Sequence, residues 1–303
     1  MDSKHIEKLK QFGDLRENVL LSTLTTLRIG GPVDGVLYPD SIFGLIYSIE
    51  YCNQNDIPCR VFGNGSNILA SDDRYPGIII KLSRTLQRTY LLGEKVFAEA
   101  GASLIALCHQ ISQEGLTGLE WAAGIPATVG GATFMNAGAY LSSMRESIEK
   151  VFVLKDGYCV WMSVDDCQFT YRKSIFQQHR DWIIVGVLFN FKYADINEIR
   201  TVLKKRQQQR LDTQPLQAYS CGSTFRNHPD HPSWKVIDSL GLRGYSIGGA
   251  QVSEKHTNFL INKQHASFDD MYKLIRHVQE EVYDKYNFEL ILEVEQFNWK
   301  TNQ

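Results

Sequence analysis

Residues 124–140 are the stretch that most constrains how this chain can fold. They contain four glycines, at positions 124, 130, 131 and 138, and their apolar residues follow neither the helical period nor strand alternation. We therefore expect a loop in which Gly130 and Gly131 adopt positive φ and let a ligand approach the backbone. Loops of this kind bind phosphate through main-chain N–H groups. The stretch matches neither G-x-x-x-x-G-K-[ST] nor G-x-G-x-x-G, so an ordinary tight loop between two strands is the alternative.

A second glycine-containing turn, Gly63-Asn-Gly-Ser-Asn67, directly follows a predicted strand at residues 59–63. A third, Gly30-Gly31, interrupts any regular element near the N-terminus. The turns at 63–67 and 124–140 could together surround a pyrophosphate without using a lysine. This combination favours a bulky dinucleotide held mainly by backbone contacts.

The order of the predicted elements indicates an N-terminal α/β unit and a polar domain boundary at residues 212–215. Hydrophobic spacing predicts helices at 2–12, 41–54, 103–113, 195–210 and 233–240. Ser267 is expected to cap the longest helix, whose apolar residues recur at 3–4 spacing, namely Phe268, Met271, Ile275, Val278 and Val282. Glu198 three residues after Asp195 is typical of a capping box. Strands are predicted at 35–39, 59–63 and 77–82, as two strands within 86–101, as a hairpin at 148–163, and at 182–191, 258–262 and 289–297. In the final strand, alternation places Ile291, Glu293, Glu295 and Phe297 on one face.

Charge and cysteine content exclude several classes of protein. The net charge of −2 gives no electrostatic basis for binding nucleic acid or an anionic membrane. No run of about 18 apolar residues is present, and the N-terminus lacks the apolar core of a secretory signal. Six cysteines without a C-x-x-C pair indicate reduced thiols in the cytoplasm. Prolines interrupt His228 and His231, and no acidic ligand accompanies them or His256 at helical spacing, so we expect no metal site.

Four polar residues could carry chemistry. Arg172 precedes an apolar strand and is either a solvated edge residue or a bidentate clamp for a carboxylate. Ser223 is either a turn cap or a hydroxyl that gives a proton to a carbanion, and no G-x-S-x-G elbow marks it as an acyl nucleophile. Glu293 and Glu295 are either solvent-exposed or part of a site.

Eight motifs in register resemble the UDP-N-acetylenolpyruvoylglucosamine reductase family. The resemblance covers about residues 25–297. It rests on Thr25-Thr26-x-Arg28-Ile-Gly-Gly-Pro32, Gly63-Asn-Gly-Ser-Asn67, Gly118-Leu-Glu-x-Ala-Ala-Gly-Ile-Pro126, Val129-Gly-Gly-Ala-x-x-Met-Asn-Ala-Gly-Ala-Tyr140, Phe169-x-Tyr-Arg-x-Ser174, Gln214-Pro215, Gly222-Ser-x-Phe225 and Gly248-Gly-Ala-x-Val-Ser253.

This resemblance implies an α+β fold with a two-subdomain FAD-binding region of the vanillyl-alcohol-oxidase or PCMH type and a C-terminal α+β substrate-binding domain. The corresponding ranges are 1–82, 83–211 and 212–303, with residues 289–303 returning to the first subdomain. The implied activity is reduction of UDP-N-acetylglucosamine enolpyruvate to UDP-N-acetylmuramate for peptidoglycan, in a cytoplasmic enzyme for which a monomer is favoured. Hydride passes from NADPH to FAD and then from flavin N5 to C3 of the enolpyruvyl group, and C2 is protonated.

The matched motifs also imply roles for individual residues. Ser223 is the proton donor, and Arg172 and Glu293 polarise the substrate carboxylate and stabilise the enol-like intermediate. Substrate contacts are implied for Tyr171, Arg226, Asn227 and Gln251. FAD contacts are implied for Arg28, Gly63, Asn64, Gly65, Ser66, Asn67, Gly124, Ile125, Pro126, Thr128, Gly130, Gly131, Asn136, Ala137 and Gly138. Because the 63–67 turn has neither His nor Cys, the FAD is expected to be non-covalent.

The chain departs from the family pattern at three places. Ala127 and Leu141 stand where glycine is usual, and the final strand differs around Glu293, which leaves Glu295 as an alternative carboxylate. The short C-terminal part resembles the family branch without the long tyrosine-bearing substrate loop. Two further functions stay open, namely another flavin oxidoreductase of this fold and a non-catalytic protein that binds flavin or a UDP-sugar.

Overall fold

The computed structural model describes residues 1–300, so positions 301–303 of the predicted C-terminal ranges lie outside the described residues. The α-helices are α1 (Ser3–Leu9), α2 (Ile42–Gln54), α3 (Leu104–Gln113), α4 (Val129–Phe134), α5 (Ile196–Thr213), α6 (Ser233–Ser239) and α7 (Phe268–Tyr286). The strands are β1 (Gly13–Leu20), β2 (Pro32–Pro39), β3 (Cys59–Phe62), β4 (Ile68–Ala70), β5 (Tyr75–Lys81), β6 (Thr89–Leu92), β7 (Lys95–Glu99), β8 (Leu116–Thr117), β9 (Gly138–Ala139), β10 (Ser142–Ser143), β11 (Ile148–Lys155), β12 (Tyr158–Ser163), β13 (Ile183–Asn190), β14 (Lys192–Tyr193), β15 (Tyr219–Ser220), β16 (Ser246–Ile247), β17 (Ala250–Val252), β18 (Leu260–Asn262) and β19 (Glu295–Phe297). The predicted α+β content is confirmed.

The chain forms two compact units. Unit 1 contains residues 1–17, 35–64 and 76–209, and the described part of unit 2 contains residues 18–34, 65–75 and 210–300. One four-stranded sheet has the order β1-β2-β5-β3. The three-domain division implied by the resemblance stays a prediction.

Unit 1 is built on a five-stranded antiparallel sheet of order β12-β11-β13-β7-β6. The predicted hairpin is present, with Val151 opposite Met162 and Lys155 opposite Tyr158. Helix α4 packs against β13, and the buried residues Val151, Val187 and Val129 belong to one hydrophobic core. Ser103 caps helix α3, because its hydroxyl accepts a hydrogen bond from the Ala106 N–H.

Unit 2 is built on an antiparallel sheet of order β15-β18-β17-β16, and α7 packs along it. The predicted cap of α7 is confirmed, because Ser267 and Asp270 form a capping box. The helix buries Met271, Ile275, Val278 and Val282, the 3–4 spacing read from the sequence. Strand β19 pairs in parallel with β4, with Glu295 opposite Ile68 and Phe297 opposite Ala70.

Two predictions about regular structure are wrong. Residues 124–140 are not a continuous loop, because α4 lies within them. The closing strand does not run unbroken from 289 to 297. A bend at Val294 leaves only residues 295–297 as strand, and Phe297 is buried while Ile291 is exposed. Simple alternation therefore does not place Glu293 and Glu295 on one face.

No helix within residues 1–300 combines the length and the apolar character needed to cross a membrane. All six cysteines are free thiols.

Candidate functional site

Thr128 organises the glycine-rich segment. It is 3% exposed and caps α4, because its Oγ1 accepts a hydrogen bond from the Gly131 N–H at 3.2 Å. Gly130 and Gly131 are helical, so the expected positive φ is wrong at both positions. Packing explains Gly130, since a Cβ there would lie 2.8 Å from the Ala100 Cβ. A Cβ on Gly131 would meet only Thr128 Oγ1 within 4 Å, so that side of the backbone is open.

Gly63 and Asn64 lie against the same segment. A Cβ on Gly63 would lie 2.4 Å from Thr128 Oγ1, which makes glycine necessary there. The Asn64 side chain donates from Nδ2 to the Pro126 carbonyl at 3.1 Å. Two stretches that are more than 60 residues apart are thus brought together, and both were predicted to contact one cofactor.

The neighbouring predicted cofactor residues are positioned by short-range hydrogen bonds. The Ile125 N–H donates to the Ala122 carbonyl at 3.0 Å, and the Ala127 N–H donates to the Ile125 carbonyl at 2.8 Å. Ala127 does not have a positive φ, so its Cβ introduces no backbone strain. The Ala137 carbonyl accepts from the Met144 N–H at 2.9 Å. The segment is therefore fixed mainly by its own backbone.

Asn136 holds the glycine-rich segment to the loop that carries Arg172. It is 4% exposed and has a φ of 41°. Its Nδ2 donates to the Thr170 carbonyl at 2.8 Å, and its Oδ1 accepts from the Arg145 N–H at 3.1 Å. The amide group thus connects two protein segments, and the contact of Asn136 with the cofactor stays a prediction.

Arg172 lies next to Gly138. Its Nη2 donates to the Gly138 carbonyl at 2.6 Å, and its own carbonyl accepts from Gln177 Nε2 at 3.1 Å. The backbone of Arg172 is left-handed, with φ at 55°, a conformation that is uncommon for a residue other than glycine and is often found at functional sites. Tyr171 is exposed, and its ring centroid lies 5.1 Å from the Arg172 guanidinium carbon. Arg172 is therefore a fixed side chain beside the glycine-rich segment.

The Ser223 segment in unit 2 is clamped by Asn258. The Asn258 side chain accepts from the Phe225 N–H at 3.0 Å and donates to the Phe225 carbonyl at 2.8 Å, and its main-chain carbonyl accepts from the Thr224 N–H. Gly222 has a φ of 81°, which favours glycine. Ser223 is half-buried, and within residues 1–300 its hydroxyl has no hydrogen-bond partner. The turn thus presents a hydroxyl that its own fold does not use.

Glu293 lies on the segment paired with the Ser223 turn. Its N–H donates to the Thr224 carbonyl at 2.8 Å, and the Arg226 N–H donates to the Ile291 carbonyl at 2.8 Å. Asn67 is hydrogen-bonded to the main chain of both glutamates. Its Nδ2 donates to the Glu293 carbonyl at 3.1 Å, and its own carbonyl accepts from the Glu295 N–H at 2.8 Å. Glu293 is thus bonded to the residue that follows Ser223, whereas Glu295 belongs to β19.

Gly65 and Ser66 precede Asn67 in unit 2. Gly65 has a φ of 67°, and a Cβ there would lie 2.3 Å from the Leu24 carbonyl oxygen, so the turn requires glycine. The Gly65 carbonyl accepts from the Thr26 N–H at 3.2 Å, and Ser66 is half-buried.

Arg28 is exposed in unit 2 and has a left-handed backbone with a φ of 59°. The Asn262 side chain stabilises this turn by donating from Nδ2 to the Leu27 carbonyl at 3.1 Å and the Arg28 carbonyl at 3.4 Å. The Arg28 guanidinium carbon lies 5.6 Å from the centroid of the Tyr219 ring. The turn therefore directs a cation outward.

The predicted substrate contacts have unequal surroundings. Arg226 has a buried Nε without a hydrogen-bond partner among residues 1–300. The Asn227 Oδ1 accepts from the Ser233 N–H, and the Gln251 side chain is 6% exposed and donates to the Gly244 carbonyl at 2.9 Å. Arg226 therefore has capacity for a ligand, whereas these groups of Asn227 and Gln251 already bind the protein.

Asn258 and Asn262 were missed by sequence reasoning. Both are buried polar residues. Asn262 ends β18 and Asn258 lies two positions before its start, and the asparagines that flank this short apolar run were the available signal. His228 and His231 stack at 5.4 Å, and residues 1–300 contain no group of three or more His, Cys, Asp or Glu side chains arranged for a metal ion.

Known proteins match the chain along almost its whole length. The family model described as UDP-N-acetylenolpyruvoylglucosamine reductase, C-terminal domain, matches residues 214–297, and the model described as FAD binding domain matches residues 33–163. The UDP-N-acetylenolpyruvoylglucosamine reductase of Anoxybacillus flavithermus is 38% identical over 96% of this chain and 98% of its own length. The Bacillus subtilis reductase is 36% identical over 96% of this chain and 97% of its own length.

Solved structures give the same result. The UDP-N-acetylenolpyruvylglucosamine reductase of Thermus caldophilus superposes with a TM-score of 0.82 at 34% identity, over 94% of this chain and all of that chain. The glucose dehydrogenase Phl p 4.0202 superposes with a TM-score of 0.50 at 15% identity, over 64% of this chain and 45% of that chain. At that identity the second likeness concerns the fold alone.

Proposed function

Because the chain belongs to the UDP-N-acetylenolpyruvoylglucosamine reductase family, we propose that it reduces UDP-N-acetylglucosamine enolpyruvate to UDP-N-acetylmuramate with NADPH. It is an FAD-dependent oxidoreductase, and the expected PCMH-type fold is confirmed. The identity to the reductases over nearly the full length of both chains is the observation that carries this conclusion. The preference for NADPH and the roles of individual residues below are proposals.

The residues of unit 1 fit the FAD that the family requires. The Gly63 turn lies against Thr128, where even a Cβ would clash, and the Gly131 backbone is open on the side where a Cβ would point. We propose that Gly63, Asn64, Gly131 and their neighbours in 124–128 hold the cofactor through main-chain groups. When bound, FAD takes hydride from NADPH and supplies it to C3 of the enolpyruvyl group.

Three side chains supply the remaining chemistry in this proposal. Arg172 binds the substrate carboxylate through its planar fork, which favours negative charge beside it. Ser223 gives its hydroxyl proton to C2 of the substrate, where hydride addition at C3 leaves carbanion character. Glu293 stabilises the enol form of the substrate carboxyl group. The hydroxyl of Ser223 supports its role, since no neighbour within residues 1–300 engages it.

A non-catalytic protein that binds flavin or a UDP-sugar is the alternative from another class. Such a protein has no need of a proton donor held on a turn by a buried clamp such as Asn258. A flavin enzyme of this fold with another substrate is the second alternative. Neither accounts for the similarity that continues through the C-terminal segment 214–297.

The cellular role follows from the proposed reaction. UDP-N-acetylmuramate is a precursor of bacterial peptidoglycan, so we propose that the protein serves cell-wall synthesis, and through it cell shape and division. The free thiols support a cytoplasmic location, because disulfides are rare there. We propose a monomer.

A two-step titration without oxygen tests the function. The purified protein should be yellow, and denaturation should release the flavin because the attachment is non-covalent. NADPH should bleach the colour, and UDP-N-acetylglucosamine enolpyruvate should restore it with formation of UDP-N-acetylmuramate. Bleaching without recovery would favour another flavin enzyme. A colourless protein that cannot be reconstituted with FAD would disprove the proposal.

A further inference from the structure

Strands β9 and β10 are joined by a turn of unusual composition. Ala139 pairs with Ser142 and Gly138 pairs with Ser143, so Tyr140 and Leu141 are the two central residues of a two-residue hairpin. Both have positive φ, at 56° and 68°. Such a turn normally uses Asn-Gly, because only glycine and, less readily, asparagine and aspartate adopt the left-handed conformation at low cost. A Tyr-Leu turn is therefore strained and needs support from its surroundings.

Arg206 of α5 supplies that support. Its guanidinium carbon lies 3.8 Å from the centroid of the Tyr140 ring, close enough for a direct cation–π contact. The two side chains help to line a cleft of about 350 Å³, with Trp121, Phe191 and Val202 among its other walls. Leu141 is fully exposed, so the support reaches the turn through Tyr140.

The turn controls the position of the Gly138 carbonyl. Gly138 is the first residue of β9, and a Cβ there would lie only 2.3 Å from the Ser142 carbonyl oxygen, so the hairpin closes tightly around it. The same carbonyl accepts the hydrogen bond from Arg172 Nη2 at 2.6 Å. A shift of the hairpin would therefore displace the acceptor that orients the Arg172 guanidinium group.

We propose that Arg206 is a positioning residue, which stacks on Tyr140 to hold the strained hairpin and so fixes the Gly138 carbonyl that orients Arg172. This inference rests on the proposed function of Arg172 as the clamp for the substrate carboxylate.

Four variants test the proposal: Arg206→Ala, Arg206→Lys, Leu141→Gly and the pair Arg206→Ala/Leu141→Gly. Arg206→Ala should slow flavin reoxidation by the enolpyruvyl sugar nucleotide roughly 10- to 100-fold, in line with the cost of misplacing a reacting group. Its flavin reduction by NADPH should stay within about twofold of wild type. Arg206→Lys should restore part of the rate, since an ammonium group also binds a ring face. Arg200→Ala, at an exposed arginine of the same helix, is the matched control and should behave like wild type.

The double variant separates positioning from damage to the fold. Leu141→Gly removes strain at one turn position, so in the Arg206→Ala background it should recover most of the lost reoxidation rate. It should also raise the melting temperature more in that background than in wild type, a readout that does not depend on turnover. Normal reoxidation by Arg206→Ala, or failure of Leu141→Gly to rescue a slow variant, would overturn the proposal. Absence of reoxidation in the wild-type protein would instead refute the proposed function.

Discussion

Arg172 donates a 2.6 Å hydrogen bond from Nη2 to the main-chain carbonyl of Gly138. One arm of the guanidinium group is thereby fixed to the glycine-rich segment, and the plane of the group is set by a backbone atom. Its left-handed backbone, with φ at 55°, is held in turn by Gln177, which donates to the Arg172 carbonyl. A charged group oriented in this way recognises the shape of a carboxylate as well as its charge.

Arg172→Lys is therefore expected to impair the enzyme although the charge is kept. An ammonium group cannot bond Gly138 and also present a planar fork to a carboxylate. The affinity for the enolpyruvyl sugar nucleotide and its half-reaction should fall by at least about tenfold, which corresponds to about 1.4 kcal/mol. Flavin reduction by NADPH, measured by stopped flow, should change little. Wild-type turnover in this variant would rule out the clamp.

Ser223→Ala should separate the two half-reactions. Reduction of the flavin by NADPH requires no proton transfer to carbon, whereas reduction of the substrate does. General-acid catalysis is typically worth about 10²–10⁴-fold. The variant should bleach at a near-normal rate and then regain its colour slowly when the sugar nucleotide is added without oxygen.

Ser223→Cys should retain more activity than Ser223→Ala, because a thiol can also donate a proton. Ser220→Ala is a nearby control on β15 and should reoxidise normally. If Ser223→Ala reoxidises as fast as wild type, Ser223 is only a turn residue and the donor must be sought at Glu293, Glu295 or a bound water.

Glu293→Gln and Glu295→Gln should differ sharply in the rate at which the substrate reoxidises the flavin. The Glu293 N–H is bonded to Thr224, the neighbour of Ser223, whereas Glu295 lies in β19 opposite Ile68. We expect Glu293→Gln to slow flavin reoxidation by roughly 10²-fold, within the range for loss of one electrostatic stabiliser. Glu295→Gln should remain within about twofold of wild type. The reverse order, measured in the same stopped-flow assay, would assign the carboxylate to Glu295.

Lys81 is expected to lower the stability of the protein at neutral pH. It is 8% exposed at the end of β5, and burial, with a smaller effect from Arg84, lowers its pKa to about 8. Since the unfolded chain binds this proton more tightly, the free energy of unfolding should rise between about pH 8 and pH 10.4. Below about pH 8 the free energy of unfolding lacks this increase, because the buried Lys81 is charged in the folded protein as well.

Lys81→Met should remove the destabilisation caused by the buried charge. At pH 7 the free energy of unfolding should increase by roughly 1–3 kcal/mol, as one pKa unit corresponds to about 1.36 kcal/mol. The difference from wild type in urea titrations should shrink as the pH rises through the window. Lys150→Met, at an exposed lysine of β11, is the control and should show no such dependence. If the difference in the free energy of unfolding stays constant from pH 7 to pH 10, the charge of Lys81 is not its cause.

The sequence predicted those helices and strands that are determined by residues within the element itself. Ser267 and the apolar spacing after it predicted α7 because both the cap and the buried face are encoded within one helix. The short helix α4 was missed because six residues are too few for a hydrophobic period. Gly130 of this helix packs closely against Ala100, a contact that the local sequence does not reveal.

The same distinction applies to the candidate site. Gly63 and Thr128 were both predicted as cofactor residues, but their closeness follows from the fold and not from either motif. Asn258 was missed because its side chain binds the backbone of Phe225, which lies 33 positions earlier in the chain. A polar residue with such a distant partner looks like any strand-end asparagine in a single sequence.

The parallel pairing of β19 with β4 sets the order in which the protein can be completed during synthesis. Asn67 and Glu293, which flank this pairing and are hydrogen-bonded, are 226 positions apart, so β4 must wait until the segment around Glu293 has left the ribosome. The five-stranded sheet of unit 1 ends at Asn190 and can form earlier. Chains that terminate before Glu293 would therefore leave β4 as an unpaired apolar edge, a target for aggregation and for proteases.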